Sequence, residues 1–448
     1  MPKVSIILTS FNHEKYICEA IDSVLNQTFI DFELIIWDDA SSDNSWHLIR
    51  QYSDSRIKAF RNDEQKRGVW GINKAVGEIA SGAYIAIHHS DDVWEHDKLE
   101  KQVAMLDGNP EIGAVFTWVQ IIDEHGVKLN GDWFNQEYRT RWQLLNQLFL
   151  GQNSLNHPSV LIRKQCYQDV GTYRYGLAQT GDAEMWSRVL MKFPIHVIQE
   201  KLTKHRIFSD KSNTSGDRME VAIRISNEWN VLRENYLSIV NFEDVVAIFP
   251  HLERFRNPEG FNNKFLLAMA CLYECKQRNA WQLGLQWLFD LLSDKTCHKN
   301  IRQLYSFTYM DFIKLTAEFD GYCIAGCHKK MAEDEQSLVA LQVQDLMTGN
   351  AWLTSQRDAW ERLAAEQEGT IAALQVQVQD LLTGNAWWTS QRDAWERLAA
   401  EHEQSIAELT ARLQQTAERL AASDAILNKI RSHRGIRFIN LLSKRRLF

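Results

Sequence analysis

Nowhere in the 448 residues does an apolar run reach the roughly 18 positions a membrane-spanning helix needs, so no transmembrane segment is expected. Positive charge is not in excess either. With a formal net charge of −8, the chain lacks the basic face that phosphate backbones require, which argues against nucleic acid as a partner. A secretory leader is not visible: Met1-Pro2-Lys3 runs straight into Val4-Ser5-Ile6-Ile7-Leu8, and that short run reads as a first buried strand. No Cys-x-x-Cys pair occurs. Cys271-x3-Cys275 and Cys323-x3-Cys327-His328 have a spacing that places each pair on one helical face, as small buried residues and not as a structural zinc site. Seven cysteines, odd in number and scattered, fit reduced thiols in a cytoplasmic protein.

What remains is a chain of 45% hydrophobic residues, enough to bury a large core divided among two or three domains. Over the first two hundred residues, short apolar runs alternate with amphipathic stretches. The runs Val4–Thr9, Phe32–Trp37, Ile57–Phe60, Ala83–His88 and Ala114–Ile122 read as strands. Glu14–Gln27, Asp43–Tyr52, Val69–Ile79 and Lys98–Leu106 read as helices, with Asp43 placed to cap the second. This alternation implies an α/β fold, a mostly parallel sheet covered on both faces. Ligands of such sheets bind beyond the carboxyl ends of the strands.

A domain of this kind is expected over 1–216, followed by a helical domain over 217–330 that includes Phe265–Gln277 and Trp281–Leu292. Next comes an internal repeat: Asn350-Ala351-Trp352 and Asn385-Ala386-Trp387 open nearly identical stretches offset by 35 residues, which is five heptads, from Trp352 to Trp387. Leu346, Leu353, Trp360, Leu363, Trp388, Trp395, Leu398, Ile406, Leu409, Leu413, Leu420, Leu427 and Ile430 trace the seam. A proline-free coiled coil over 331–430, associating as a homo-oligomer, is expected, with Gly349 and Gly384 as weak points. The tail, 431–448, mixes Arg434, Arg437, Lys444, Arg445 and Arg446 with Phe438, Leu441, Leu442 and Phe448. It suits either peripheral contact with an anionic membrane surface or a cap to the coiled coil.

Chemistry is expected where the strands end. The first strand leads to Thr9-Ser10-Phe11-Asn12-His13 and the second to Asp38-Asp39-Ala40-Ser41-Ser42-Asp43. A carboxylate there can accept from a pyrimidine imide N–H while Phe11 lies on the base. Taken alone, Asp38 and Asp39 would merely start a turn. The fourth strand leads to His88-His89-Ser90-Asp91-Asp92, and two adjacent carboxylates at a buried exit call for a cation or donors. Mg²⁺ or Mn²⁺ would share such oxygens with substrate phosphates.

At this point the chain resembles the family 2 glycosyltransferases of GT-A nucleotide-sugar-binding fold, in their SpsA-like group. Pro2 to Asn12 resembles the family's first strand. Asn26-Gln27-Thr28-Phe29 and Asp31-Phe32-Glu33-Leu34 resemble its first helix–strand junction, Trp37 to Asp43 its nucleoside-binding turn, and Ser90-Asp91-Asp92 its variant of the DxD motif. The resemblance implies transfer of a sugar from a nucleoside-diphosphate donor (UDP- or dTDP-linked) to a glycan, lipid-linked or protein acceptor in bacterial surface glycan synthesis. Thr9, Phe11, Asn12 and Asp39 would contact the nucleoside, Asp91 the ribose or sugar, and Asp92 the metal. Arg67 and Asn73 lie on the segment that lines the diphosphate and nucleoside.

Gly181-Asp182-Ala183-Glu184-Met185-Trp186 fits the family's base-bearing step, making Asp182 the general base, held ionised at a helix N-terminus. Lys204-His205-Arg206-Ile207-Phe208 resembles the closing segment, with Phe208 where a histidine is common, and His157 reads as a packed histidine. Two rivals are a nucleotidyltransferase and an inert coiled-coil scaffold. The first would bring a glycine-rich basic loop after the first strand, which is absent; the second would lack Asp91, Asp92 or Asp182, which are present.

Overall fold

A computed structural model describes residues 1–131, 133–210, 212–326 and 362–376, with isolated helical positions between 403 and 418. Eight strands, β1 (Val4–Ser10), β2 (Phe32–Asp38), β3 (Ile57–Arg61), β4 (Tyr84–His89), β5 (Val93–Trp94), β6 (Ala114–Ile122), β7 (Leu161–Arg163) and β8 (Ile195–Arg206), form one sheet in the order β3-β2-β1-β4-β7-β6-β8-β5. Pairing is parallel from β3 to β4 and between β6 and β8, and antiparallel at β7 and β5. Helices α1 (Ile17–Leu25), α2 (Ser45–Ile49), α3 (Gly68–Lys74), α4 (Lys98–Gly108), α5 (Arg141–Phe149), α6 (Lys164–Val170) and α7 (Gly181–Lys192) cover both faces.

Successive side chains of a strand point to opposite faces. Val4, Ile6 and Leu8 of β1 therefore enter one core with Ile17, Ala20, Ile21 and Val24 of α1, while Ile7 enters the other with Ile35, Ile72 and Trp186. Burial on both sides is why these strands read as continuous apolar runs.

Two local details depart from expectation. The helix expected over Val69–Ile79 changes pitch: α3 passes into a π turn at Ala75–Ile79, where the Ala80 N–H donates to the Ala75 carbonyl at 2.8 Å. Asp43 does not occupy the N-cap of α2, a place taken by Asn44. Its carboxylate instead accepts from the N–H groups of Ser45 and Glu14, each at 2.9 Å, and so ties the exit of β1 to the start of α2.

The boundary expected at 216/217 does not separate two bodies. Helices α8 (Met219–Glu234), α9 (Phe242–Ile248), α10 (Asn263–Tyr273), α11 (Arg278–Ser293), α12 (Lys295–Tyr305) and α13 (Tyr309–Glu318) share one core with α5 and α7. Trp229 Nε1 donates to the Leu148 carbonyl at 2.7 Å, Arg233 Nε to that of Phe149 at 3.0 Å, and Tyr236 Oη to that of Leu145 at 2.6 Å. Residues 1–328 accordingly form one compact unit. A second unit spans 329–448, and within it residues 362–376 are helical. The rest of the coiled coil expected over 331–430, apart from scattered helical positions, lies outside the described residues, as does the basic tail at 431–448. Among the described residues, no helix is long and apolar enough to cross a membrane.

Candidate active site

Parallel register brings the strand exits together. Ser10 pairs with Asp38, Asp38 with Arg61, and Thr9 with His89, so the three predicted clusters share the carboxyl edge of the sheet. Three non-glycine residues at this edge, Asn12, Ala40 and Arg67, have positive φ values of 53°, 62° and 71°. Such conformations persist where neighbouring bonds over-determine them, and they concentrate at functional sites.

Those bonds are visible. The Asn12 side-chain oxygen accepts the Ser42 N–H at 2.8 Å, and its own N–H donates to Ser41 Oγ at 2.9 Å. Asp38 is wholly buried and accepts from the Ser41 N–H at 3.0 Å and Ser41 Oγ at 2.6 Å. Asp39 accepts from Asn62 Nδ2 at 2.6 Å and from the N–H groups of Lys66 at 2.8 Å and Arg67 at 2.7 Å. Asn12 and Asp39, expected to face the nucleoside, are thus first of all the braces that shape the loops. Asp39 Oδ2 carries only the Arg67 N–H and keeps capacity for a second donor. Thr9 is half-buried and Phe11 is 37% exposed, a large ring open at the mouth. The Arg67 side chain is exposed. Asn73 is buried. Its amide clasps the backbone of Tyr173, donating to the carbonyl at 2.7 Å and accepting the N–H at 3.0 Å, so it holds the chain leading to α7.

The acidic pair divides. Asp92 is 1% exposed. Its Oδ1 accepts from the Arg206 N–H at 2.9 Å and lies 3.1 Å from His205 Nδ1, whereas Oδ2 is buried with no hydrogen-bond partner. Burial would push this carboxyl up, but the charges and hydrogen bonds of His205, His89 and Arg206 outweigh it and hold the pKa down at about 2. Asp91 is less buried, and burial together with the charge of Asp92 raises its pKa. Arg206, itself buried, fixes the turn by donating from Nε to the Asp91 carbonyl at 2.8 Å and pairing with Glu19 at 2.7 Å. Phe208, where a histidine is common, packs its ring 5.4 Å from Tyr16 and 6.1 Å from His13.

Asp182 lies in the first turn of α7, half-buried, with Oδ2 accepting from Asn153 Nδ2 at 2.9 Å and Oδ1 from the Ala183 N–H at 2.7 Å. The helix terminus was expected to hold it ionised. Burial outweighs those donors, and the pKa rises to about 6, which leaves a carboxylate at neutral pH that is more basic than an exposed aspartate.

Two further residues, His157 and Glu228, support the site from outside the expected set. His157, expected to be merely packed, has Nδ1 3.2 Å from His89 Nε2 and Nε2 2.8 Å from Tyr173 Oη, which links the acidic corner to the loop before α7. Burial, aided by His89, keeps His157 neutral, its pKa well below the usual value. Glu228 of α8 accepts the N–H groups of Ala178, Gln179 and Thr180, each at 2.8 Å, and so clamps the segment just before Asp182. Glu228→Gln turns one acceptor oxygen into a donor facing N–H groups. It is expected to destabilise the chain by about 1–3 kcal/mol and lower turnover roughly tenfold with donor KM unchanged. Denaturant unfolding and steady-state kinetics check this; unaltered turnover would show that the clamp does not govern Asp182.

Residues 5–166 match the family model described as glycosyl transferase family 2. A putative glycosyltransferase of Bacillus subtilis, EpsE, is 31% identical over 216 residues, covering 47% of this chain and 74% of that protein. An uncharacterized glycosyltransferase of Methanocaldococcus jannaschii is 28% identical over 267 residues, covering 58% and 82%. The Escherichia coli UDP-Glc:alpha-D-GlcNAc-diphosphoundecaprenol beta-1,3-glucosyltransferase WfgD is 40% identical over 124 residues, which cover 28% of this chain and 48% of WfgD. Among solved structures, S. aureus TarS 1-349 in complex with UDP-GlcNAc aligns with a TM-score of 0.46 at 16% identity, covering 64% of this chain and 81% of that one. With the family's motifs standing in order along one sheet edge and the match to EpsE running over 74% of that protein, this chain belongs to the family 2 glycosyltransferases and is a transferase of GT-A fold.

Proposed function

We propose that this glycosyltransferase moves a sugar from a UDP- or dTDP-linked donor to an acceptor hydroxyl with inversion at the anomeric carbon, with Mg²⁺ or Mn²⁺ as cofactor. The observation that carries this reading is a pair of carboxylates set in opposite directions. Asp92 is held down at about 2, fit to stay anionic against a cation, and Asp182 is pushed up to about 6, fit to take a proton.

The orphaned Asp92 Oδ2 fits a divalent ion, which when bound would neutralise charge gathering on the leaving diphosphate. Thr9, Phe11 and Asp39 would hold the nucleoside, and Asp91 and Arg67 the ribose and diphosphate. Asp182 removes the acceptor proton as the acceptor oxygen bonds to the anomeric carbon. The bond from that carbon to the diphosphate oxygen breaks on the opposite face, and its electron pair leaves with the nucleoside diphosphate. The likeness to WfgD supports a lipid-linked diphosphate sugar as the acceptor class; on this reading the transfer serves surface glycan synthesis on the cytoplasmic side.

A panel of nucleotide sugars incubated with the full chain and Mn²⁺, with products read by mass spectrometry, tests the reading. Release of nucleoside diphosphate from one donor and a hexose mass added to the acceptor are expected. Pyrophosphate release, or inertness towards every donor, would sink it.

A further inference from the structure

We propose that His89 is a metal ligand through Nδ1, and that it makes the acidic corner a mixed nitrogen–oxygen site preferring Mn²⁺ and Co²⁺ to Mg²⁺ and Ca²⁺. This rests on the reading above that a divalent ion sits there.

Three observations carry it. Ligand atoms of His89, Asp91 and Asp92 all lie within 4.8 Å of one another. Donors about 2.1 Å from a common octahedral ion stand about 3 to 4.2 Å apart, so little adjustment is needed. Next, Asp92 Oδ2 is buried without a hydrogen-bond partner, and His89 Nδ1 stands 3.7 Å from it. That separation is too long for a hydrogen bond and suits two groups sharing an ion. The rival imidazole, His205, already points Nδ1 at Asp92 Oδ1, 3.1 Å away, and leaves Oδ2 free. His13 is engaged with Ser90 Oγ at 2.8 Å.

The third observation is the far side of the ring. A metal on Nδ1 requires the proton on Nε2, and His89 Nε2 faces His157 Nδ1 at 3.2 Å. His157 then carries its proton on Nε2 and donates to Tyr173 Oη at 2.8 Å, and Tyr173 donates to Tyr167 Oη at 3.4 Å. Every ring nitrogen and hydroxyl in this series finds a role with both imidazoles neutral. Metal-binding histidines are held in this way by a hydrogen bond from the second nitrogen. An imidazole ligand disfavours Mg²⁺ and Ca²⁺, which take oxygen, and suits the later first-row ions.

The test is Mn²⁺ binding to the full chain, with and without UDP, followed by calorimetry and by pulsed electron paramagnetic resonance for nitrogen coupling to the bound ion. The wild type is expected to show imidazole nitrogen coupling. His89→Gln should lose the coupling and bind Mn²⁺ about 10–100-fold more weakly, with Mg²⁺ affinity changed less than about threefold. His89→Asp should restore binding without nitrogen coupling and erase the preference for Mn²⁺. Coupling absent from the wild type, or persisting in His89→Gln, overturns the assignment. Mn²⁺-dependent UDP binding without nitrogen coupling would sink His89 as ligand and leave the transferase reading intact. Nitrogen coupling without any UDP binding would do the reverse.

Discussion

Asp182→Asn is expected to lower turnover by about 10²–10⁴-fold, the usual range for removing a general base, while donor affinity stays within about twofold. The amide oxygen can still accept the Ala183 N–H, which keeps the side chain at the helix start, while the second oxygen gives way to an NH₂ group that no longer accepts from Asn153 and carries no basicity. Because burial raises the Asp182 pKa to about 6, wild-type kcat/KM should climb with pH through about 6 and level above it. In the variant that limb should vanish. Stability should move the other way. A carboxyl whose folded pKa lies above its unfolded value stabilises the native state fully only below about pH 4, and that contribution is lost as pH rises through about 6. Asp182→Asn removes the ionisation, so it should stabilise the chain at pH 7.5 by about 1–3 kcal/mol and by little at pH 4.5. Urea unfolding at the two pH values checks this. Full activity in the variant, or an unchanged acid limb, would remove Asp182 from the chemistry.

Strands β1, β2, β4 and β6 were legible because they are buried on both faces and therefore appear as nearly unbroken apolar runs, and β6 matched at both ends, Ala114–Ile122; the short β5 and β7 and the half-exposed β8 carry no such run. Placing Asp39, Asp91 and Asp92 at strand exits followed from the same pattern. What each does once there was less legible. Asn12 is bound to Ser42 and Asp39 to Lys66 and Arg67, residues about 30 positions distant, and no local spacing encodes such closure. Asn73 sits within the expected segment, and its amide also braces the backbone of Tyr173, a hundred residues on, a role that no local spacing encodes. The apparent boundary at 216/217 had a different origin. Loss of strand signals looks like a change of domain, but Trp229, Leu232 and the fully apolar face of α10 need a partner, and α5 and α7 supply it. Glu228 was hidden for the same reason: it sits in a helix remote from the base-bearing turn and meets it only through that shared core.

Asp92→Asn should separate the metal corner from the base. The side-chain oxygen of asparagine can still accept the Arg206 N–H and face His205, so the turn is expected to stay in place. The position of Oδ2 passes to an NH₂ group, which repels a cation. Mn²⁺-dependent UDP binding should therefore fall at least about 100-fold by calorimetry, while metal-free binding, held by Thr9, Phe11 and Asp39, is unchanged. The stability sign is opposite to that of Asp182. A carboxyl held down at about 2 contributes stability above about pH 4 that is lost as pH falls through about 2. Its replacement should destabilise the chain by about 1–3 kcal/mol at neutral pH, through the weakened His205 contact. Asp91→Asn makes the contrast sharper. Asp92 Oδ2 and His89 Nδ1 stay in place, so Mn²⁺ should still bind, only a few-fold more weakly for the lost neighbouring charge, while donor KM should rise about tenfold. Equal loss of metal in the Asp91 and Asp92 variants would show that the two carboxylates act as one ligand pair and not in divided roles.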